Sequence, residues 1–202
     1  MNDVLMKNKR CLIAITGSQG AGKSEVLKFL RELGYDAYSA DEISKEIFNE
    51  SFQEIYNMFK AYFPENTNFD IPRLRRQIAL TISRDKSMKK KLEDFIWPKV
   101  KERLNEISNN SITVFVEIPL LFEANMESYF DKIWIVDAPF EVRLNRLIKN
   151  RGYTEEEARI RMNLQWPPSK PIDQCKVPIQ YIDGGQDIED VKKRVIELLD
   201  SL

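Results

Sequence analysis

The chain has 202 residues, enough for one core with insertions or for two small domains, and roughly 70% of the unfolded chain's surface can be buried at that length. Lys plus Arg (31) and Asp plus Glu (32) nearly cancel to a formal net charge of −1, which argues against a nucleic-acid binder that relies on phosphate-backbone electrostatics. Histidine is absent, which excludes His triads, His general bases and His metal ligands, and two cysteines, Cys11 and Cys175, are too few for a Cys zinc site.

Met1 to Arg10 holds Asp3, Lys7, Lys9 and Arg10 and lacks the apolar stretch of a secretory leader. No apolar run approaches the roughly 18 residues of a membrane span, so the expected setting is the cytoplasm, with no membrane partner. Cys11 to Thr16 is apolar on both faces and reads as a buried strand, followed by a helical pattern over Lys23 to Leu33. That helix places Val26, Leu27 and Leu30 on one face and stops at Gly34. Tyr35 to Tyr38 is a weaker strand. From Asp41 to Asn110 only helical patterns occur, with Ile43, Ile47 and Phe48, then Ile55 and Phe59, then a basic stretch from Arg73 to Arg103. Ile112 to Ile118, Lys132 to Asp137 and Pro178 to Ile182 read as three further buried strands.

Arg143 to Asn150 and Glu155 to Leu164 read as helices separated at Gly152. With the Pro cluster at Pro167, Pro168 and Pro171, the segment to Val177 reads as a flap. Ile188 to Leu199 closes the chain as a helix with Val191, Val195, Leu198 and Leu199 on one stripe. Alternating strands and helices indicate a mostly parallel α/β sheet. The division that follows is a nucleotide-binding core of residues 1–40, 111–142 and 176–202, a helical acceptor-binding insertion of residues 41–110, and a lid of residues 143–175.

Gly17-Ser18-Gln19-Gly20-Ala21-Gly22-Lys23-Ser24 fits the phosphate-loop pattern G-x-x-x-x-G-K-[ST] and sits between a buried strand and an amphipathic helix. Gly17, Gly20 and Gly22 permit backbone angles and a close approach that a Cβ would block, so successive N–H groups can face phosphate oxygens. The helix N-terminus adds partial positive charge. Lys23 is expected to reach the β and γ phosphates of ATP and Ser24 to ligate Mg²⁺. The nucleotide-binding set is thus Gly17, Gln19, Gly20, Ala21, Gly22, Lys23, Ser24 and Glu25. Glu25 places an acid on the first helical turn, where it suits the helix dipole. The chain lacks an Asn-Lys-x-Asp guanine-reading motif. A phosphate loop, a helical insertion and an arginine-rich flap are the parts of a small-molecule kinase, in which the flap excludes water.

Together these motifs resemble the dephospho-coenzyme A kinase family over Ile13 to about Leu199. The resemblance is carried by Ile13 to Ser24, by Gly34-Tyr35-Asp36-Ala37-Tyr38-Ser39-Ala40-Asp41, and by Glu117-Ile118-Pro119-Leu120-Leu121-Phe122-Glu123. Arg146-Leu147, Gly152, Glu156 to Ala158, Arg161 and Gln165 follow that family's flap pattern. It implies an α/β fold of the nucleoside-monophosphate-kinase type, with a five-stranded parallel sheet, a helical acceptor domain and a lid. The implied reaction is transfer of the γ-phosphoryl of ATP to the ribose 3′-hydroxyl of dephospho-coenzyme A, the last step of coenzyme A biosynthesis. The implied acceptor-site residues are Asp41, Trp97, Pro119 and Leu120. The chain departs from the pattern at Ser39 and Glu117, each in place of Asp, and at Trp97, in place of His.

Asp41 is the expected base, since a carboxylate must orient the ribose hydroxyl where no His exists; its alternative is a dipole partner in the capping box Ser39-Ala40-Asp41-Glu42. Glu117 ends a buried strand where α/β folds place ligands, and joins Ser24 as a candidate metal ligand; its alternative is a structural salt bridge. Among the flap arginines, Arg146 is the candidate for the transferring phosphoryl, with Arg151 and Arg161 as further lid residues. Arg143 and Lys149 are expected to lie on a solvated face. Phe48, Phe59, Phe63, Phe69 and Phe95 are expected mainly in a core. Two alternatives remain open at this point: another small-molecule or nucleotide kinase, or a catalytically impaired ATP-binding regulatory protein. Oligomeric state is left open.

Overall fold

The computed structural model describes residues 10–63, 70–163 and 175–202, and the protein divides into two compact units, Met1–Ser39 with Ser108–Leu202, and Ala40–Ile107. The expected positions Asp3, Lys7, Lys9, Phe69, Gln165, Pro167, Pro168 and Pro171 lie outside the described residues.

The first unit is a five-stranded parallel sheet. Its strands are β1 (Cys11–Thr16), β2 (Asp36–Ser39), β3 (Thr113–Glu117), β4 (Lys132–Asp137) and β5 (Ile179–Asp183), in the order β2-β3-β1-β4-β5. β1 is central, and from Ile13 to Ile15 every residue is fully buried because both faces of the strand are covered. Helix α1 (Lys23–Glu32) lays Val26, Leu27 and Leu30 into the core with Phe115, Trp134, Val136 and the C-terminal helix α8 (Ile188–Asp200) through Val195 and Leu198. Gly34 (φ +86°) ends α1: its N–H donates to the Arg31 carbonyl and that of Tyr35 to the Leu30 carbonyl, both at 3.0 Å. Such a left-handed closing residue costs Gly nothing and would strain any other side chain.

The expected strand over Pro178 to Ile182 begins one residue later, and only Ile182 in it is buried. β5 lies at the sheet edge with one neighbour, so it is not the doubly covered strand its apolar character suggests. The helix expected from Arg143 starts three residues earlier: α6 spans Phe140–Arg151, with Pro139 before it, and ends at Gly152 (φ +68°). Helix α7 (Glu155–Asn163) packs Ala158 and Met162 on Leu144 and Leu147 of α6.

The second unit contains α2 (Ala40–Glu50), α3 (Phe52–Phe59), α4 (Ile71–Arg84) and α5 (Lys86–Asn109). Asp70 caps α4 by accepting the Arg73 N–H at 2.9 Å, and Pro72 fits the first turn, where its missing donor costs nothing. Ile55, Phe59, Leu74, Ile78 and Met88 form an apolar cluster joined by Phe48, Phe63, Phe95 and Ile96, which bears out core packing for these aromatics. Two arginines fasten α2. Arg75 of α4 donates through Nη2 to the Lys45 carbonyl at 2.9 Å and to Asn49 Oδ1 at 3.0 Å, and lies 4.9 Å from the Phe48 ring centre. Arg103 of α5 donates to both carboxylate oxygens of Glu50 and pairs with Glu46 at 3.6 Å. Among the described residues no helix is long and apolar enough to cross a membrane.

Candidate active site

The site starts where β1 ends. Parallel strands on either side of β1 leave a crevice at their carboxyl edge, where ligands bind in such sheets. Gly17 (φ +135°) turns the chain there, and a Cβ on it would lie 1.9 Å from the Val136 carbonyl oxygen of β4. Gly20 (φ +82°) passes so close to α6 that a Cβ would meet the Arg143 carbonyl at 2.9 Å, and Gly22 (φ +107°) opens α1. Gly17 and Gly20 are required by backbone contact and backbone angle together, and Gly22 by backbone angle alone. Gln19 is half buried and Ala21 fully buried, while Glu25 is exposed on the first turn of α1.

Lys23 is 7% exposed, and its Nζ donates to the carbonyls of Gly17 and Ser18, both at 2.9 Å. A buried ammonium needs such acceptors to offset the water it has lost. Ser24 Oγ donates to Glu117 Oε1 at 3.4 Å, so the two expected metal ligands meet. Glu117 is 8% exposed at the end of β3, in register with Ile15 on one side and Ser39 on the other. Arg146 reaches the loop from α6, donating through Nη1 to the carbonyls of Gly20 at 3.4 Å and Ala21 at 3.3 Å. One buried carboxylate thus lies beside Ser24, next to a loop whose carbonyls hold Lys23 and Arg146.

The other expected residues fall elsewhere. Pro119 and Leu120 follow β3, half buried and exposed respectively. Arg151 and Arg161 are exposed on α6 and α7, and Arg161 stacks 4.6 Å from the Tyr153 ring centre. Asp41 and Trp97 belong to the second unit. Asp41 is exposed in the first turn of α2 beside Glu42, and Trp97 is half buried in α5 just before Pro98. Phe95 and Ile96 join the apolar cluster of that unit, whereas Trp97 is not part of it.

Arg143 corrects the expectation of a solvated face: its side chain is 16% exposed, its Nε donates to the Ala138 carbonyl at 2.8 Å, and it lies 3.8 Å from Asp137 Oδ1. Lys149 is exposed as expected. Two further features are absent from the expectations. Gly184 donates its N–H to the Asp137 carbonyl at 2.7 Å, and a Cβ there would lie 2.0 Å from the Ala21 carbonyl oxygen. The pair Gly184-Gly185 was its available signal, since adjacent glycines after a strand mark a close approach. Thr154 and Glu157 form a reciprocal cap on α7: Glu157 Oε2 accepts the Thr154 N–H at 2.9 Å and Thr154 Oγ1 accepts the Glu157 N–H at 3.2 Å. The Thr154 N–H and hydroxyl, both donating to Oε2, hold the Glu157 carboxyl below its ordinary range.

The geometry is that of a nucleotide phosphate site, and comparison with known proteins gives its family. The sequence profile of the dephospho-CoA kinase family matches residues 11–182. The chain belongs to that family. It is therefore a phosphotransferase that uses ATP and a small-molecule acceptor. The dephospho-CoA kinase of Fusobacterium nucleatum is 31% identical over 190 residues, covering 91% of this chain and 94% of its own. A solved Thermus thermophilus structure superposes with a TM-score of 0.81 at 26% identity, covering 96% of this chain and 97% of that one. The dephospho-CoA kinase of Campylobacter jejuni superposes with a TM-score of 0.67 at 24% identity, covering 94% and 96% respectively, which shows the shared fold.

Proposed function

We propose that this family member transfers the γ-phosphoryl of ATP to the ribose 3′-hydroxyl of dephospho-coenzyme A, as a cytoplasmic enzyme with Asp41 as base. The observation that carries the ATP half of the reading is the phosphate loop with Lys23 buried beneath it, Ser24 bonded to Glu117 at 3.4 Å, and Arg146 on its carbonyls. The acceptor half rests on family membership and on Asp41 in the first turn of α2.

Residues 41–110 receive the acceptor, with Trp97, Pro119 and Leu120 lining it, and residues 143–175 close as a lid carrying Arg146, Arg151 and Arg161. Loop N–H groups from Gly17 to Glu25 take the phosphates, and Lys23 exchanges its carbonyl partners for phosphate oxygens. Asp41 accepts the proton of the ribose hydroxyl as its oxygen bonds to the γ phosphorus. The bond from that phosphorus to the β–γ bridging oxygen breaks, and ADP leaves. Arg146 spreads positive charge over the equatorial oxygens in the transition state.

Mg²⁺ fits the residues present. Ser24 and Glu117 offer a hydroxyl and a carboxylate side by side, and this cation takes few protein oxygens, the rest being phosphate and water. When bound, the ion neutralises charge on the β and γ phosphates.

The test is ADP release measured with and without dephospho-coenzyme A. Turnover that depends on the acceptor supports the proposal, and none above background hydrolysis overturns it. Asp41→Asn should lower kcat by about 100-fold to 1,000-fold while sparing ATP binding; a near-normal rate would remove Asp41 from the base role.

A further inference from the structure

The first turn of α6 carries a charge that its position disfavours. Arg143 is the fourth residue of a helix that begins at Phe140, and a cation near a helix N-terminus opposes the dipole unless a neighbour compensates. The structure supplies the neighbour. The Arg143 side chain turns back over Pro139 to the end of β4, where Nε donates to the Ala138 carbonyl at 2.8 Å and lies 3.8 Å from Asp137 Oδ1. That oxygen is covered and accepts no hydrogen bond among the described residues, while the Asp137 side chain as a whole is 43% exposed, and the guanidinium is the cation beside it. The Phe140 ring centre lies 5.8 Å from the Arg143 guanidinium and 5.4 Å from that of Arg159 of α7.

The same segment meets the phosphate loop at two points and reaches it at a third through Gly184. The Asp137 carbonyl takes the Gly184 N–H, and Gly184 backs onto the carbonyl of Ala21. Gly20 backs onto Arg143 itself, so closely that a Cβ would come within 3.3 Å of the Arg143 Cα. One helical turn further on, Arg146 donates to the Gly20 and Ala21 carbonyls. Whatever fixes the first turn of α6 therefore sets both the seat of Gly20 and the reach of Arg146.

We infer that Arg143 is a positioning residue for phosphoryl transfer, its clasp on Asp137 and Ala138 holding the phosphate loop and Arg146 in one register. It acts through the loop and Arg146 and contacts no reacting atom. The inference rests on the loop being the ATP site. An Arg is needed because one planar group must donate along Nε and face a carboxylate at once, which a Lys ammonium cannot reproduce.

The experiment compares Arg143→Met, which keeps the apolar stem, with Arg143→Lys, Asp137→Asn and the Arg143→Met/Asp137→Asn double variant. The readouts are kcat, KM for ATP, KM for dephospho-coenzyme A, the Kd of a non-hydrolysable ATP analogue, and the Tm. Arg143→Met should raise the analogue Kd and the ATP KM about tenfold and lower kcat about tenfold, with the acceptor KM within about twofold. Arg143→Lys should recover part of kcat, Asp137→Asn should move the same constants less, and the double variant should be no worse than Arg143→Met alone. A lowered Tm with unchanged Kd and kcat overturns the inference, as does an acceptor KM that moves as much as the ATP KM. Should Arg143→Met fail to fold, Asp137→Asn and Arg143→Lys are read by the same criteria. An unaltered chain that binds no analogue would overturn the assignment of the loop; one that binds it normally beside indistinguishable variants overturns only the role of Arg143.

Discussion

The phosphate loop is shaped by backbone against backbone, whereas α2, which carries Asp41, is held by side chains. At the loop, Gly17 lies on the Val136 carbonyl, Gly20 on α6 and Ala21 on Gly184, with Lys23 and Arg146 bound to main-chain oxygens. In the second unit, Arg75 and Arg103 fasten α2 through a carbonyl, an amide, a ring and two carboxylates. Backbone packing leaves almost no tolerance, because interiors are close-packed and a main-chain oxygen cannot rotate away. Side-chain fastening tolerates exchange: half-exposed ion pairs contribute little each, and neighbouring partners share the duty.

Four measurements would sharpen or break this contrast. The largest effect belongs to Gly17→Ala, whose added Cβ meets a carbonyl at 1.9 Å on a residue at φ +135°. It should cost about 3 kcal/mol or more and abolish binding of an ATP analogue, read by calorimetry and denaturant unfolding. A fully active Gly17→Ala enzyme would break the contrast outright.

Next comes Arg75→Ala. It should destabilise the protein by about 1–3 kcal/mol and lower kcat, with ATP-analogue affinity unchanged, because the bonds it removes lie within Ala40–Ile107. Equal loss of nucleotide affinity would show that the two regions are not separable in this way.

Trp134→Phe is a core change that the backbone frame should hardly register. The indole is fully buried, 5.0 Å from the Phe115 ring centre, and its N–H has no hydrogen-bond partner among the described residues. Removing an unpaired donor offsets the lost ring volume, so unfolding free energy should move by no more than about 1 kcal/mol.

The smallest effect is a pH dependence at α7. The Thr154 N–H and hydroxyl hold the Glu157 carboxyl below its ordinary range, so the folded state binds this proton more weakly than the unfolded chain. The resulting stabilisation is present above the ordinary carboxylate pKa and is lost as pH falls through the lowered value. Acid titration followed by circular dichroism should show this loss, and Glu157→Gln should flatten it.

Legibility from sequence followed how local each determinant is. β1 and β4 have the expected bounds, because a doubly covered strand is apolar at every position and its ends are abrupt. β2 and β5 shifted by one residue, since edge strands carry mixed side chains and a weaker pattern. The start of α6 was obscured by reading Arg143 as its first residue, when Pro139 at the N-cap is the true boundary. The loop was legible because its glycines, lysine and serine do their work within eight consecutive residues. Arg143 was not, for its partners Asp137 and Ala138 precede a proline outside the helix, and the side chain must turn back past the helix start to meet them.

The sequence by itself determined the alternation of strands and helices, the phosphate loop and the family, since each is written in contiguous patterns of apolar spacing, glycine and charge. Only the tertiary structure decided why Gly184 must be a glycine, that Ser24 and Glu117 meet, and that Arg143 is buried against Asp137. The first two depend on strand order and register, which bring residues far apart in the chain within bonding distance and which no local pattern encodes; the third depends on how α6 leaves the end of β4, which the apolar pattern of the helix does not specify.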